Sequence, residues 1–188
     1  MKLAKIAGNK LRQAYRRQYN APFISAIPAN LFGPGDDFHP EDSHVIAALI
    51  RKMHDARESG AGSVEIWGSG SPRREFVYRD DAADACLFVM ERYDDSEPIN
   101  LGGGRDLSIQ ELAEEIGKAV GFTGKLKFNS ERPDGMPLKL LDGTKLKQLG
   151  WKPKFDFRPA LKITYDWFLK NEEKAGERGH ARTSAVSN

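Results

Sequence analysis

Two apolar patterns stand back to back at the start of the chain, and they restrict its fold more than anything that follows. Leu3, Ile6, Ala7, Leu11, Ala14 and Tyr15 recur at three- and four-residue steps, which predicts a helix over about Lys2 to Tyr19. Asn20-Ala21-Pro22 ends it, and Phe23 to Ile27 reads as a short buried strand. A helix running into such a strand is the second part of a βαβ unit, which makes the chain α/β. The first strand of that unit is absent from the sequence, so an incomplete parallel sheet is expected. The helix also lacks a preceding Ser, Thr, Asp or Asn to cap it. Its other face carries Lys2, Lys5, Asn9, Arg12 and Arg16.

The alternation continues. After the loop NLFGPGDDFHPEDSH (30–44), Val45, Ile46, Leu49, Ile50 and Met53 form a second helical stripe. Val64 to Trp67 and Arg73 to Tyr78 read as strands on either side of the turn Gly68-Ser-Gly-Ser-Pro72. Asp80 or Asp81 could cap a helix whose stripe is Ala82, Ala85, Cys86, Val89 and Met90. Ile99 to Leu101 is a short strand before Gly102-Gly-Gly104, and Ser108 with Glu111 is a capping box opening a helix to Val120. A strand at 125–128, a short helix ending at Gly150 and a final helix from Pro159 to Lys170 complete the pattern. We divide it into a dinucleotide-domain remnant (1–30), a smaller α/β substrate-binding part with some returning segments (31–170) and a disordered tail (171–188).

Charge narrows the partners. With 29 basic and 27 acidic side chains among 188 residues, the net charge of +2 leaves no basic stripe of the kind nucleic-acid binders need. Neither nucleic acid nor a membrane is expected as a partner, whereas a phosphate-bearing small ligand needs only two or three local arginines. The N-terminus has charges throughout and no apolar core, unlike a secretory signal. The single cysteine, Cys86, cannot form an internal disulfide and fits a reducing, cytoplasmic setting; it is expected to be a buried thiol.

Several residues could carry chemistry, each with a plain structural alternative. Gly68-Ser-Gly70 and Gly102-Gly-Gly104 could offer backbone N–H groups to a phosphate, or be ordinary turns. Arg74, beside Arg73, could fork onto phosphate oxygens, or sit on a solvated strand edge. Trp67 could stack on a base, or be core. His44, at the mouth of a helix, could move a proton near neutral pH, or be a capping or buried histidine. His39 and His54 show no partner pattern, and four histidines and one cysteine give no zinc spacing.

Taken together, LAKIAGNKL (3–11), PANLFGPGDDFHPEDSHVI (28–46), WGSGSPRREFVYRDDAA (67–83), INLGGG (99–104), RPDGMPLKLLD (132–142) and LGW (149–151) resemble the C-terminal half of the GDP-L-fucose synthase family. These are NADP-dependent epimerase/reductases of the extended short-chain dehydrogenase class, with a Rossmann-type sheet. They convert GDP-4-keto-6-deoxy-D-mannose to GDP-L-fucose.

The resemblance implies roles. Lys5 matches the lysine of a Tyr-x-x-x-Lys pair that holds the nicotinamide ribose. Pro28, Ala29, Asn30 and Leu31 match a cofactor-contacting segment. His44 matches a general acid for epimerisation that also borders the cofactor. Lys52, Trp67, Arg74 and Asp134 match positions holding the GDP-sugar, with lysine at 52 where arginine is usual. NADP is the implied cofactor, a GDP-sugar the implied partner, and a homodimer the implied assembly.

One departure is large. Met1 stands where the catalytic tyrosine would be, four residues before Lys5. We therefore expect an N-terminally truncated chain, inactive alone as a reductase, whose first helix leaves an apolar face for a missing half to cover. A non-catalytic nucleotide-sugar-binding remnant and another nucleotide-sugar epimerase or dehydratase remain as alternatives.

Overall fold

A computed structural model describes residues 2–172. Their elements, in order, are α1 (Lys2–Tyr19), β1 (Ala26–Pro28), β2 (Asn30–Phe32), α2 (Val45–Glu58), β3 (Ser63–Trp67), β4 (Arg73–Tyr78) and α3 (Arg79–Arg92). There follow β5 (Ile99–Leu101), β6 (Asp106–Ser108), α4 (Ile109–Val120), β7 (Lys125–Asn129), β8 (Leu138–Lys139), α5 (Thr144–Gln148) and α6 (Phe157–Lys170). The pairs β1–β5, β3–β7 and β4–β8 are all parallel, as an α/β chain requires. The first strand sits at Ala26–Pro28 rather than Phe23 to Ile27, because only there does the backbone match β5, Ala26 opposite Ile99 and Pro28 opposite Leu101. β2 lies within what the sequence marks as loop, and β6 carries no apolar run that would reveal it.

The chain divides into two compact units. One takes the segment up to Leu31, Glu75–Arg105 and Leu140–Lys154. Its core is built by Ala85, Val89, Ile99, Leu101, Leu146 and Trp151. A carboxyl group, Glu75, is also fully buried here; Oε1 accepts from the Gly104 N–H at 2.7 Å and Oε2 from the Leu141 N–H at 3.1 Å.

α1 joins this unit through its polar side. Asn9 accepts from the Ser25 hydroxyl at 2.9 Å, Arg12 donates to the Phe23 carbonyl at 2.8 Å, and Gln13 donates to the Ser96 carbonyl at 3.1 Å. Leu3, Ile6, Leu11 and Tyr15 consequently face outward, Leu3 at 80% exposure. The helix stops at Asn20, whose φ of 52° is the left-handed turn that asparagine tolerates.

α3 begins at Arg79 with Tyr78 as its cap residue, so neither Asp80 nor Asp81 caps it. Asp81 is buried and accepts from the Lys154 N–H at 2.8 Å. Cys86 is exposed, contrary to expectation. The helix buries only its narrow small-residue side, Ala82, Ala85 and Val89, which turns Cys86 and Met90 outward.

The second unit takes Phe32–Arg74, Asp106–Lys139 and the segment from Phe155 onward. β3 and β7 pair over five residues, from Ser63 opposite Lys125 to Trp67 opposite Asn129. α4 packs against α2 and α6, burying Ile50 and Met53 of α2, Leu112 and Ile116 of α4, and Leu161 and Phe168 of α6. The expected capping box is present: the Glu111 N–H donates to Ser108 Oγ at 3.0 Å, and the Ser108 N–H to Glu111 Oε2 at 2.7 Å. His54 is a satisfied core histidine, its Nδ1 3.0 Å from the Tyr165 hydroxyl.

Residues 173–188, most of the expected tail, lie outside the described residues. Asn171 and Glu172 do not belong to a disordered tail. The Asn171 side chain donates to the Trp167 carbonyl at 2.9 Å, and Glu172 pairs with Arg51 at 3.2 Å.

One ion pair ties α4 to α6. Arg158 forks onto Glu115, Nη2 to Oε1 at 2.9 Å, and draws that carboxyl down to about 2, with help from Lys118. The folded value lies below the ordinary 4.5, so this contact stabilises the fold above about pH 4.5 and fades as pH falls toward 2. Arg158 is largely exposed, so solvent screening keeps the contribution small. Glu115→Gln should lower the urea midpoint near neutral pH, with the deficit shrinking below pH 4.5. A deficit independent of pH would contradict this.

Candidate functional site

Alternation along β3 sends Val64 and Ile66 inward and Glu65 and Trp67 outward. Trp67 is therefore 44% exposed and is not a core residue. Two cations lie against its ring: Lys52 Nζ from α2 at 4.6 Å from the centroid, and Arg132 Cζ at 4.9 Å. An indole face attracts cations, each contact being worth about 0.5–1 kcal/mol at an exposed site.

The turn after Trp67 does bind an anionic group, and that group comes from the chain itself. The Ser69 N–H donates to Asp134 Oδ1 at 2.9 Å, and the Ser69 hydroxyl donates to Oδ2 at 2.7 Å. The hydroxyl, then the N–H, hold the Asp134 carboxyl below its usual range. Gly68 makes the approach feasible: its φ is +86°, and a Cβ there would stand 2.3 Å from Asp134 Oδ1.

The two adjacent arginines part company. Arg73 Nε donates to Asp106 Oδ2 at 2.5 Å, and Nη1 lies 3.1 Å from Glu111, so its charge is spent on β6 and α4. Arg74 Nη1 instead donates to the Met136 carbonyl at 2.5 Å. Lys52 and Trp67 thus meet directly, and Arg74 and Ser69 both hold the loop that carries Arg132, Arg74 through the Met136 carbonyl and Ser69 through the Asp134 carboxyl.

His44 lies in the same unit, at the N-terminus of α2, with its ring 83% exposed. It is neither buried nor a side-chain cap. Nδ1 stands 3.5 Å from Asp36 Oδ1. The loop before it is folded by its own carboxylates: Asp36 accepts from the Asp37 N–H at 2.9 Å and Asp37 from the His39 N–H at 3.1 Å. Phe38 anchors it, fully buried 4.9 Å from the Phe168 ring. His39 Nδ1 accepts the Asp42 N–H at 3.1 Å, a structural task.

Lys5 and Pro28 to Leu31 belong to the other unit. Lys5 is exposed on α1. Ala29 donates to the Leu101 carbonyl at 3.1 Å, and the Asn30 side chain donates to the Glu75 carbonyl at 2.9 Å. Pro28 and Leu31 are exposed. In that unit the Gly102–Gly104 turn borders a cavity of about 390 Å³, also lined by Thr144, Lys147 and Lys152.

His54, Asp55 and Glu172 bring ligand-type atoms within 4.8 Å of one another, two neighbours on α2 meeting a residue just past α6, which the sequence spacing does not disclose. Arg51 already lies 3.2 Å from Glu172 and 3.6 Å from Asp55, an internal cation among these acids.

Sequence reasoning passed over Arg132, Ser69 and Glu75 as individual residues. Arg132 opens the RPDGMP run and Ser69 sits in the Gly-Ser turn, but nothing in the spacing shows that a segment 65 residues away closes on that turn.

Residues 2–102 match the model of the NAD dependent epimerase/dehydratase family. The chain is 53% identical over 169 residues to GDP-L-fucose synthase 1 of Arabidopsis thaliana, covering 90% of this chain and 52% of that protein. It is 46% identical over 181 residues to GDP-L-fucose synthase of Escherichia coli strain K12, covering 92% and 56%. Among solved structures, a GDP-L-fucose synthetase from Naegleria fowleri bound to NADP superposes with a TM-score of 0.86 at 35% identity, over 93% of this chain and 56% of that one. The chain spans about half the length of the curated relatives it matches.

The Ser69–Asp134 contact gives a direct test of this geometry. Gly68→Ala strains a left-handed residue by roughly 1–2 kcal/mol and drives a methyl into Asp134. The Ser69 amide should exchange its hydrogen markedly faster in that variant. Unchanged protection would mean that Asp134 does not hold the turn.

Proposed function

Because the chain belongs to the NAD dependent epimerase/dehydratase family, we propose that it carries the nucleotide-sugar-binding portion of a GDP-L-fucose synthase-type enzyme, an NADP-dependent epimerase/reductase acting on GDP-4-keto-6-deoxy-D-mannose. The observation that carries the reading is the exposed Trp67 ring with Lys52 and Arg132 against it. An apolar plate edged by cations suits a base or ribose joined to a diphosphate. Trp67 supplies the plate, Lys52 and Arg74 bind the diphosphate, and Asp134 shapes the pocket.

The chemistry assigned to His44 is proton delivery. Protons α to the C4 ketone are acidic, and inversion at C3 and C5 requires reprotonation from the opposite face. An exposed imidazole at the head of α2 suits that task. Nδ1 stands beside Asp36, so the transfer is assigned to Nε2, the ring nitrogen away from that carboxylate.

The residues present fit part of a dinucleotide. Lys5 offers an exposed ammonium for ribose hydroxyls, and the segment Pro28, Ala29, Asn30 and Leu31 offers exposed apolar side chains at Pro28 and Leu31 on either side of the half-buried Ala29 and Asn30. When bound, NADPH supplies hydride to C4. The carbonyl oxygen then needs a proton donor, and position 1, four residues before Lys5, is a methionine whose thioether has none to give.

We also propose that the outward stripe of α1, Leu3, Ile6, Leu11 and Tyr15, is covered in a homodimer, since its polar side is already committed to its own unit. Among the described residues no helix is long and apolar enough to cross a membrane, and a cytoplasmic setting goes with a nucleotide-sugar substrate.

Two measurements test these readings. In calorimetric titration the chain should bind GDP-sugars in preference to UDP-sugars, yet show no NADPH oxidation with the keto sugar; oxidation above background, or no binding of a GDP-sugar, would sink the proposal. In sedimentation velocity the chain should associate with rising concentration, and Leu11→Ser with Tyr15→Ser should suppress it. A wild-type chain that stays monomeric at every concentration rules out the dimer.

A further inference from the structure

The cavity beside the Gly102–Gly104 turn lies in the unit that holds α1, and none of the residues around Trp67 lines it. One wall is the turn after β5, and the other is the stretch from Gly143 and Thr144 to Lys147 on α5. Hydrogen bonds tie the two walls together. Glu75 accepts from the Gly104 N–H at 2.7 Å and from the Leu141 N–H at 3.1 Å, and the Asn100 side chain donates to the Asp142 carbonyl at 3.1 Å. The floor is apolar: Leu146 and Trp151 are buried there, with Pro153 beside them. Trp151 Nε1 donates to Asp84 at 3.0 Å, so the one polar group of the indole is already used. At about 390 Å³ the space is large enough for a small organic ligand.

Its charge is one-sided. Between Leu140 and Lys154 stand four lysines and a single acid, Asp142. Asp142 accepts from the Thr144 N–H at 2.9 Å and does not line the cavity. Lys145 donates to the Tyr93 hydroxyl at 3.1 Å, and Lys154 pairs with Asp84. Lys147 and Lys152, the two that do line the cavity, pair with no acid among the described residues. The lining contains no carboxylate. Glu75 stands behind Gly102, where a Cβ would lie 2.6 Å from Oε1, and both its oxygens are occupied.

We propose that this cavity is a further binding site, for a small phosphomonoester that carries a flat apolar group, with Lys147 and Lys152 holding the phosphate and the floor of Leu146, Trp151 and Pro153 taking the apolar group. A phosphomonoester carries about 1.5 to 2 negative charges at pH 7, which matches two ammonium groups, whereas a carboxylate carries one. Lysine binds phosphate as a point charge, so no fork geometry is needed. The Thr144 hydroxyl adds a donor at the same rim. The site does not depend on the nucleotide-sugar reading, because every residue it uses belongs to the other unit.

The test is titration of the 15N-labelled 188-residue chain with phenyl phosphate, inorganic phosphate and benzoate, followed by amide and indole N–H shifts. Phenyl phosphate should move the Gly103, Thr144 and Trp151 indole signals saturably. It should bind about tenfold more tightly than inorganic phosphate, which lacks a ring to bury, and more tightly than benzoate. Lys147→Gln with Lys152→Gln should weaken phenyl phosphate about tenfold or more. Both side chains are exposed, so the double variant keeps its fold, which unchanged shifts elsewhere would verify. Lys145→Gln removes a lysine outside the cavity and should leave the affinity unchanged. Equal losses in Lys145→Gln and the double variant would mean diffuse charge attraction and overturn the site. Benzoate binding as tightly as phenyl phosphate would overturn the phosphate assignment. Shifts confined to residues around Trp67, or no shifts at all, would overturn the inference and leave the reading of the Trp67 pocket untouched.

Discussion

Backbone N–H groups in a glycine turn must find an acceptor, and in each unit of this chain a turn of that kind receives a carboxyl group from a distant strand or loop. Glu75 meets the N–H groups of Gly104 and Leu141; Asp134 meets that of Ser69. The glycines are a condition of both contacts, because a Cβ at Gly102 would lie 2.6 Å from Glu75 Oε1 and one at Gly68 2.3 Å from Asp134 Oδ1. Burying a carboxyl group without partners costs several kcal/mol, so Glu75 fixes the three segments around residues 75, 104 and 141 as a set. Each turn has its acceptor within its own unit, and the cavity beside Gly102 and the loop over Trp67 are built on those two contacts.

What was legible in the sequence was whatever depends on neighbours close in the chain. The stripe of α2 buries Ile46, Leu49, Ile50 and Met53, and that of α6 buries Leu161, Tyr165 and Phe168, although Leu169, expected on the same side, stays 42% exposed; the Ser108–Glu111 capping box closes as its three-residue spacing demands. Contacts that depend on distant partners were not legible. Asp80 and Asp81 look like caps, yet Asp81 is consumed by the Lys154 N–H, 73 residues away. Cys86 shares a stripe with buried neighbours, but α3 buries only a narrow small-residue side. β6 shows no period because its three residues pair without contributing more than one buried side chain, Leu107.

The candidate site divides along the same line. Lys52, Trp67, Arg74 and Asp134 are singled out by a resemblance of long motifs, and the geometry adds what motifs cannot, namely which atoms are occupied. Alternation along a strand explains why Arg73 and Arg74 differ in use although the sequence presents them as a pair. The same alternation brings Trp67 outward.

α1 turns the usual amphipathic logic around. A surface helix ordinarily seats its apolar stripe on the domain and shows its polar face to water. Here Asn9, Arg12 and Gln13 hold the helix to its unit, and Leu3, Ile6, Leu11 and Tyr15 are left outside. Polar anchors are directional and fix the helix in one rotation, which keeps the stripe presented as a continuous face. The arrangement is sensible only if that face is covered by something else. Of the basic groups of α1, Arg12 and Arg16 are already committed, Arg12 to the Phe23 carbonyl and Arg16 to Asp94, while Lys5, Lys10 and Arg17 remain as charges that whatever covers the face must accommodate.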